Sequence, residues 1–375
     1  MGPLMEPITH LLTGACIGRS GLNRRTAYAT LAAVLAAEAP DIDVVWAVRG
    51  PVESFAHHRG ITHTFVAAPV IALAVTGCVW LIHRYIPQRK SMAIDAQPIH
   101  WLWIFFSALI SVLSHLLLDW TNNYGLRPFF PFNAHWYSGD LVFIAEPVLW
   151  ALLLAAVVLP ALLGLAARDI GARRMRFRGR GLAIAALTGM VLLWCWRWAE
   201  HAQAHTLVEN AHVTPTPERR IALMPYPGNP WRWHALIETG TTWQTAEVDT
   251  RSGLVESDAR INSLFKPAPT PASEAARRTR LGQVYLDWAQ WPVVLDLGPQ
   301  AIPGTSAPQL SAGRQWSAVE FTDLRFAYPY LIPRMATSTN QSLEDTLARS
   351  ALSGWVYIVD GREDAGQFLN GREQK

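Results

Sequence analysis

Four apolar stretches, Ile61 to Tyr85, Trp101 to Trp120, Leu141 to Ala166 and Gly181 to Trp198, limit what this chain can fold into more than any other feature. Each approaches the about 20 apolar residues that carry a helix across a hydrocarbon core of about 30 Å. Trp80, Tyr85, Trp101, Trp103, Trp120, Trp194, Trp196 and Trp198 sit at their ends, where an interfacial aromatic belt belongs. Of 375 residues, half are apolar, 16% are charged and 17 are Trp, with a mean hydropathy of +0.13. The apolar residues concentrate before about residue 200, and a water-facing mixture of Pro, Thr, Arg and Glu follows. The length accommodates two domains. We therefore expect residues 1–200 to form a membrane-embedded helical domain and 201–375 an extracytoplasmic β-rich domain.

Two shorter helices precede the spans. Pro7 to Gly18 begins with Pro at a suitable first helical position, and Thr26 to Ala39 stops before Pro40, with GRSGLNRR as the turn between them. At about 1.5 Å per residue neither leg spans comfortably, which predicts a short, tilted or partly inserted hairpin. Basic connections mark the cytoplasmic side. Arg19 to Arg25, His83 to Lys90 and Arg168 to Arg180 alternate along the bundle. The N-terminus, the loops Pro40 to Gly60 and Thr121 to Asp140, and everything after about residue 200 are then expected on the opposite face of a bacterial-type inner membrane. A net charge of +3 is too small to argue for nucleic acid, and membrane lipids are the partner expected. Nothing sets the oligomeric state. Cys16, Cys78 and Cys195 lie in apolar segments and imply no disulfide framework. MGPLMEPITH lacks a basic n-region and carries Glu6, so it is expected to stay in the fold.

This topology gathers His10, Asp41, Asp43, His57, His58, His63, His115, Asp119 and Asp140 at one end of the bundle. HHRGITH, His57 to His63, places three imidazoles and a guanidinium at the mouth of a span; imidazole is the commonest metal ligand and Arg59 suits an oxyanion. The alternative is an interfacial loop whose basic residues face headgroups. In HLLLD, a spacing of four puts His115 and Asp119 on one helical face, where they grip one ion or form an imidazole–carboxylate pair. A central Asp in a span costs about 2.5–3.5 kcal/mol, so it usually has a partner or a job. APDID supplies Asp41 and Asp43, whose hard oxygens complement imidazole around zinc, manganese or iron. Alone, PDID reads as an exposed turn and His10 as a packed helix residue; convergence on one face is what singles them out. Asp140 and Glu146 offer further ligands or a general base after a connection that Pro128, Pro131 and the TNNYG turn make a structured lid loop. No nucleophile elbow, phosphate-binding Gly loop or Cys-rich zinc pattern is present, which points to metal-assisted chemistry. A divalent ion lowers the pKa of water from about 15.7 to about 7 and polarises a phosphoryl oxygen.

THLLTG at Thr9 to Gly14, PDID at Pro40 to Asp43, HRGITHT at His58 to Thr64, HLLLD followed by NNYG, and DLVFIAEP at Asp140 to Pro147 form an ordered set. Over roughly the first 200 residues this set resembles the YdjM-type family of inner-membrane, LexA-binding, metal-dependent hydrolases. The resemblance implies a membrane-bound hydrolase. More distantly, HLLLD with His10, Asp41 and His58 or His63 in order is similar to zinc-dependent phospholipase C and the P1-type nucleases, which implies phosphoester hydrolysis. The chain departs from that group at Glu146, which has Val142 four residues before it and so forms no second HxxxE helix.

After Trp198 short alternating runs, WRWHALIET, TWQTAEVDT, VYLDWAQWPVVLDL, SAVEFTDLRFAYP and GWVYIVDG, predict antiparallel strands. Lys266 to Arg278 reads as a Pro-rich loop leading to a short helix, and PYPGNPWRW, Pro225 to Trp233, as β-turn residues or a ligand-binding cover. The expected fold is a membrane α-helical bundle, four long spans plus a short N-terminal helical hairpin, followed by a soluble, mainly antiparallel β domain. The expected function is metal-dependent hydrolysis of a phosphoester or lipid at the extracytoplasmic face. Its ligand set is His10, Asp41, Asp43, His58, His63, His115 and Asp119, with Arg59, Asp140 and Glu146 as catalytic candidates. The ion is a divalent metal, zinc first and manganese or iron as alternatives. A non-catalytic, metal-stabilised module whose β domain binds a partner is the rival reading. A metal transporter is a third, against which the spans carry no charged trail.

Overall fold

The computed structural model describes residues 7–86, 97–169 (165–169 by backbone alone), 179–214, 216–301, 307–308, 311, 313–328, 350 and 352–374. The N-terminal residues 1–6 and parts of two basic connections, 87–90 and 170–178, lie outside the described residues. Two compact units emerge: Pro3–Asp43 with Arg59–Trp198, and Val44–His58 with Ala199–Lys375.

The first unit is a helical bundle. Helix α1 (Pro7–Ser20) and helix α2 (Ala29–Glu38) form the short hairpin. The long helices are α4 (Ala67–Tyr85), α5 (Trp101–Thr121), α6 (Pro147–Asp169) and α7 (Arg180–Ala211), which leaves the unit after Trp198. These four are long and apolar enough to cross a membrane. Small residues hold the bundle together. Ala36 of α2, Ala68, Ala72 and Val75 of α4, and Ala108 and Val112 of α5 pack as one buried cluster. Leu12 and Cys16 of α1 meet Leu153 and Ala156 of α6 and Ala183 and Ala186 of α7 in another. Between α1 and α2 the approach is closer still, because a Cβ on Gly14 would meet Ala33 O at 2.6 Å and one on Gly18 would meet Thr30 Cα at 2.5 Å. GACIG, Gly14 to Gly18, is thus a small-xxx-small contact.

Two helix starts differ from the sequence expectation. Helix α6 begins at Pro147, six residues after Leu141, because Leu141 N–H and Val142 N–H are donated to Thr121 O and Glu146 Oε1 accepts from Val148 N–H at 3.3 Å as a cap. Helix α4 begins at Ala67 after a tight turn over Ile61–His63.

The second unit carries two antiparallel sheets. Strands β1 (Arg220–Tyr226), β2 (Asn229–Glu238), β3 (Thr242–Asp249) and β4 (Leu254–Glu256) follow in order, with β5 (Ser263–Phe265) also on β3. The other sheet runs β10 (Arg372–Glu373), β9 (Glu363–Leu369), β8 (Ser353–Val359), β7 (Trp316–Asp323), β6 (Pro292–Asp296). Helix α7 runs on past Trp198 because Ala204 and Val208, one turn apart, bury against Leu223, Trp233 and Ile237 of the first sheet. Helix α8 (Pro271–Arg278) is the short helix expected after the Pro-rich loop, started by a capping box on Thr270. The run VYLDW, expected as strand, belongs to helix α9 (Arg280–Trp288): Leu281, Val284, Tyr285 and Trp288 are all buried at helical spacing. PYPGNPWRW is the β1–β2 hairpin.

Residues 44–58 join this unit as a strap. Helix α3 (Pro51–His57) sets Phe55 against Tyr285 and Trp288, with ring centroids at 5.9 and 5.0 Å. Arg280 forks onto Glu53 at 2.7 and 3.2 Å. The Gln374 amide takes the strap's backbone from both sides, accepting from Val52 N–H at 2.8 Å and donating to Arg49 O at 2.7 Å.

Candidate metal centre

The ends of α1, α2 and α5 and the turn before α4 bring the ionisable residues of the first unit together. His10 lies one turn into α1. Asp41 and Asp43 follow α2 on a 3-10 helix that begins at Ala39. Helix α5 presents His115 and Asp119 on one face, and His115 stands six residues before Thr121, about 9 Å of helix rise from that end. Such depth explains the burial: His63 and His115 are 0% exposed, Asp119 1% and His10 3%.

Two imidazole nitrogens and two carboxylate oxygens gather here. His63 Nε2 lies 3.2 Å from Asp41 Oδ1, 3.4 Å from Asp119 Oδ2 and 3.0 Å from His115 Nε2. His115 Nε2 lies 3.3 Å from Asp119 Oδ2 and 3.7 Å from Asp41 Oδ1. Ligands about 2.0–2.1 Å from a tetrahedral zinc stand about 3.3–3.4 Å from one another, which these separations bracket.

Proton placement agrees with a cation. His115 Nδ1 donates to Ala37 O at 2.6 Å, and since a carbonyl only accepts, the neutral ring presents a lone pair at Nε2. His63 Nδ1 faces Asp43 Oδ2 at 3.4 Å and Thr62 Oγ1 at 3.1 Å, again leaving Nε2 for the centre. Asp119 Oδ2, buried among those lone pairs, has no hydrogen-bond donor among the described residues. A buried carboxylate oxygen facing two imidazole lone pairs is costly without positive charge between them. The donor set, two carboxylates and two imidazoles, therefore fits a divalent ion.

Around this core the other expected residues take different places. Asp43 Oδ2 accepts Arg59 N–H at 2.8 Å and so orients both Arg59 and His63. Arg59 brings Nη2 to 2.6 Å from Asp119 Oδ1 and donates Nη1–H to Asn122 Oδ1 and Gly125 O, at 3.2 and 2.9 Å. His10 stacks on His115 at 3.8 Å, with Nε2 3.5 Å from Asp119 Oδ1. His58 ends α3 and belongs to the second unit. Asp140 follows Gly139, whose N–H is donated to Trp120 O at the end of α5. Glu146 caps α6, as described.

Sequence reasoning missed three participants. Glu38, three residues before Asp41, has a buried Oε1 with no partner among the described residues; a lone acid in an alanine-rich helix was the available signal. Asn122 and Gly125 read only as turn residues. HTLVE, an HxxxE on α7, was also passed over; its His205–Glu209 pair is exposed on the second unit.

A family model described as YdjM inner membrane protein matches residues 5–204. The uncharacterized protein YfhP of Bacillus subtilis (strain 168) is 27% identical over 163 residues, 41% of this chain and 46% of that protein, so the match spans about half the relative's length. No solved structure matches.

Proposed function

The chain belongs to the YdjM inner membrane protein family and is a multi-pass inner membrane protein, and from that premise we propose that it is a metal-dependent hydrolase acting on phosphoester or phospholipid substrates at the extracytoplasmic face. The observation that carries the reading is that Asp41 and Asp119 each bring a carboxylate oxygen within 3.2–3.7 Å of the paired Nε2 atoms of His63 and His115. Two carboxylates balance the charge of a divalent ion, with zinc first by donor set and manganese or iron as alternatives. A divalent ion held there supplies a Lewis acid.

The chain's own groups do the rest. Ala37 O and Asp43 set the tautomers of His115 and His63. Arg59 Nε–H, buried and without a partner among the described residues, is the donor left for a substrate oxygen. Asp140, held against the end of α5, is the candidate general base. Arg19, Arg24 and Arg25 connect the helix ends remote from the ligands, which supports an extracytoplasmic centre and β unit. A phosphoester as substrate rests on analogy of the HxxxD helix alone.

Elemental analysis of the detergent-purified chain beside His63→Ala and Asp119→Ala tests this, followed by a panel of phosphoesters and lipids. We expect stoichiometric metal in the wild type and its loss in both variants. Absence of transition metal, or hydrolysis untouched by chelation and by His115→Ala, rejects the mechanism. The burial of the ligands favours a second reading, a metal-stabilised module without turnover. In that case metal removal lowers stability and the panel stays negative.

A further inference from the structure

The two oxygens of Asp119 face different groups. Oδ2 points at His63 and His115, 3.4 and 3.3 Å away, and belongs to the four-donor core. Oδ1 points at His10, 3.5 Å away, and His10, His115 and Asp119 form a second group with the spacing of metal ligands. A carboxylate with ligand groups on both sides is what a two-ion hydrolase uses as a bridge between ions about 3.5–4 Å apart. Here the second side is taken. Arg59 Nη2 stands 2.6 Å from Oδ1, and a guanidinium stays charged at any physiological pH.

We propose, resting on the metal-centre reading above, that the site takes a single divalent ion among Asp41, His63, His115 and Asp119 Oδ2, and that Arg59 is a fixed positive charge where a second ion would otherwise bind. The guanidinium is fastened. Its Nη1 is shared between Asn122 Oδ1 and Gly125 O, its Cζ lies 4.8 Å from the Tyr124 ring centre, and its backbone N–H is held by Asp43. The backbone is itself specialised: Arg59 sits at φ 51°, a left-handed conformation that a non-glycine residue adopts only when its surroundings enforce it. Gly125 is at φ 84°, and a Cβ there would meet Tyr137 O at 2.9 Å, so the carbonyl that receives Nη1 is fixed too. A second ion on Oδ1 would have to expel a buried cation with nowhere to move, or sit beside it.

The test is the metal count of the full-length chain in detergent, loaded with excess zinc, freed of loose metal and measured by mass spectrometry. Wild type and Arg59→Lys are expected to hold one zinc per chain. His10→Ala is expected to keep that one, because His10 lies on the Oδ1 side. Arg59→Met is expected to admit a second zinc, which the double variant with His10→Ala loses again. Two zinc ions in the wild type overturn the proposal, as does loss of the only ion in His10→Ala; both stand even where Arg59→Met fails to fold. A folded Arg59→Met with one zinc of unchanged affinity overturns it as well. No zinc in the wild type removes the metal-centre reading itself, which separates the two failures.

Discussion

Asp43 shows how a residue outside the four-donor core still controls it. Its Oδ2 serves His63 Nδ1 and Arg59 N–H together. Asp43→Asn is expected to weaken zinc binding about 10–100-fold, as loss of a ligand-orienting carboxylate does, while leaving the count at one; chelator competition measures it. A different titration belongs to the β unit. Burial pushes the Glu320 carboxyl from its ordinary 4.5 up to about 7. Below pH 4.5 both folded and unfolded forms are protonated and nothing is lost. As pH climbs through that window the unfolded chain ionises first, so stability falls by up to about 3 kcal/mol and then levels off. Glu320→Gln is expected to remove this slope, gaining over wild type at pH 8 and not at pH 4, read by denaturant unfolding of the β signal. At this scale the sequence was informative where ionisable side chains recur at fixed spacing, as in His115 and Asp119, which share one face of α5. It was silent on partners supplied by distant backbone. No pattern announces that Arg59 points at Asp119 or that Ala37 O holds a ring nitrogen.

Helix contacts were legible by period and length, and misread where two periods compete. VYLDW reads as a strand on its own, yet the buried positions of the helix that contains it, Leu281, Val284, Tyr285 and Trp288, keep helical spacing once Thr279 caps the helix. The hairpin of α1 and α2 depends on a feature that reads as mere composition, the glycines Gly14 and Gly18. Gly14→Leu is expected to pry the two legs apart, an overpacking cost of about 1–3 kcal/mol. Cys16, fully buried between those glycines, reports the opening: with Cys78 and Cys195 changed to Ser, maleimide labelling of Cys16 should rise in the variant and stay slow in its absence. The strap offers a contrast between forces. Glu53 and Arg280 are partly exposed, so Arg280→Ala is expected to cost less than about 1 kcal/mol despite the forked geometry. Phe55→Ala, which empties the seat between Tyr285 and Trp288, is expected to cost about 2 kcal/mol, below the about 3–5 kcal/mol of a full core position. Proteolytic nicking within 44–58 distinguishes them.

For the whole chain, an ion that binds only the folded form adds to its stability. Zinc at one hundred times its dissociation constant is expected to stabilise the helical unit by about 2.7 kcal/mol. Chelation should therefore lower the helical transition on heating, and Asp119→Ala should abolish the difference. The division into helices and sheets was visible from hydropathy alone. The strap was not, because residues 44–58 carry no signal of where they belong; only their partners, Tyr285, Trp288, Arg280 and Gln374, reveal it. That placement has a consequence in time. Arg280 is synthesised 227 residues after Glu53, and Gln374 is 322 residues beyond Val52. At about 5–20 residues per second, Phe55 waits roughly 10–45 s for the aromatic seat to be made. The β unit cannot finish folding from its own contiguous stretch of message: its first piece is translated before all four spans, and its last contact closes only when almost everything else is made.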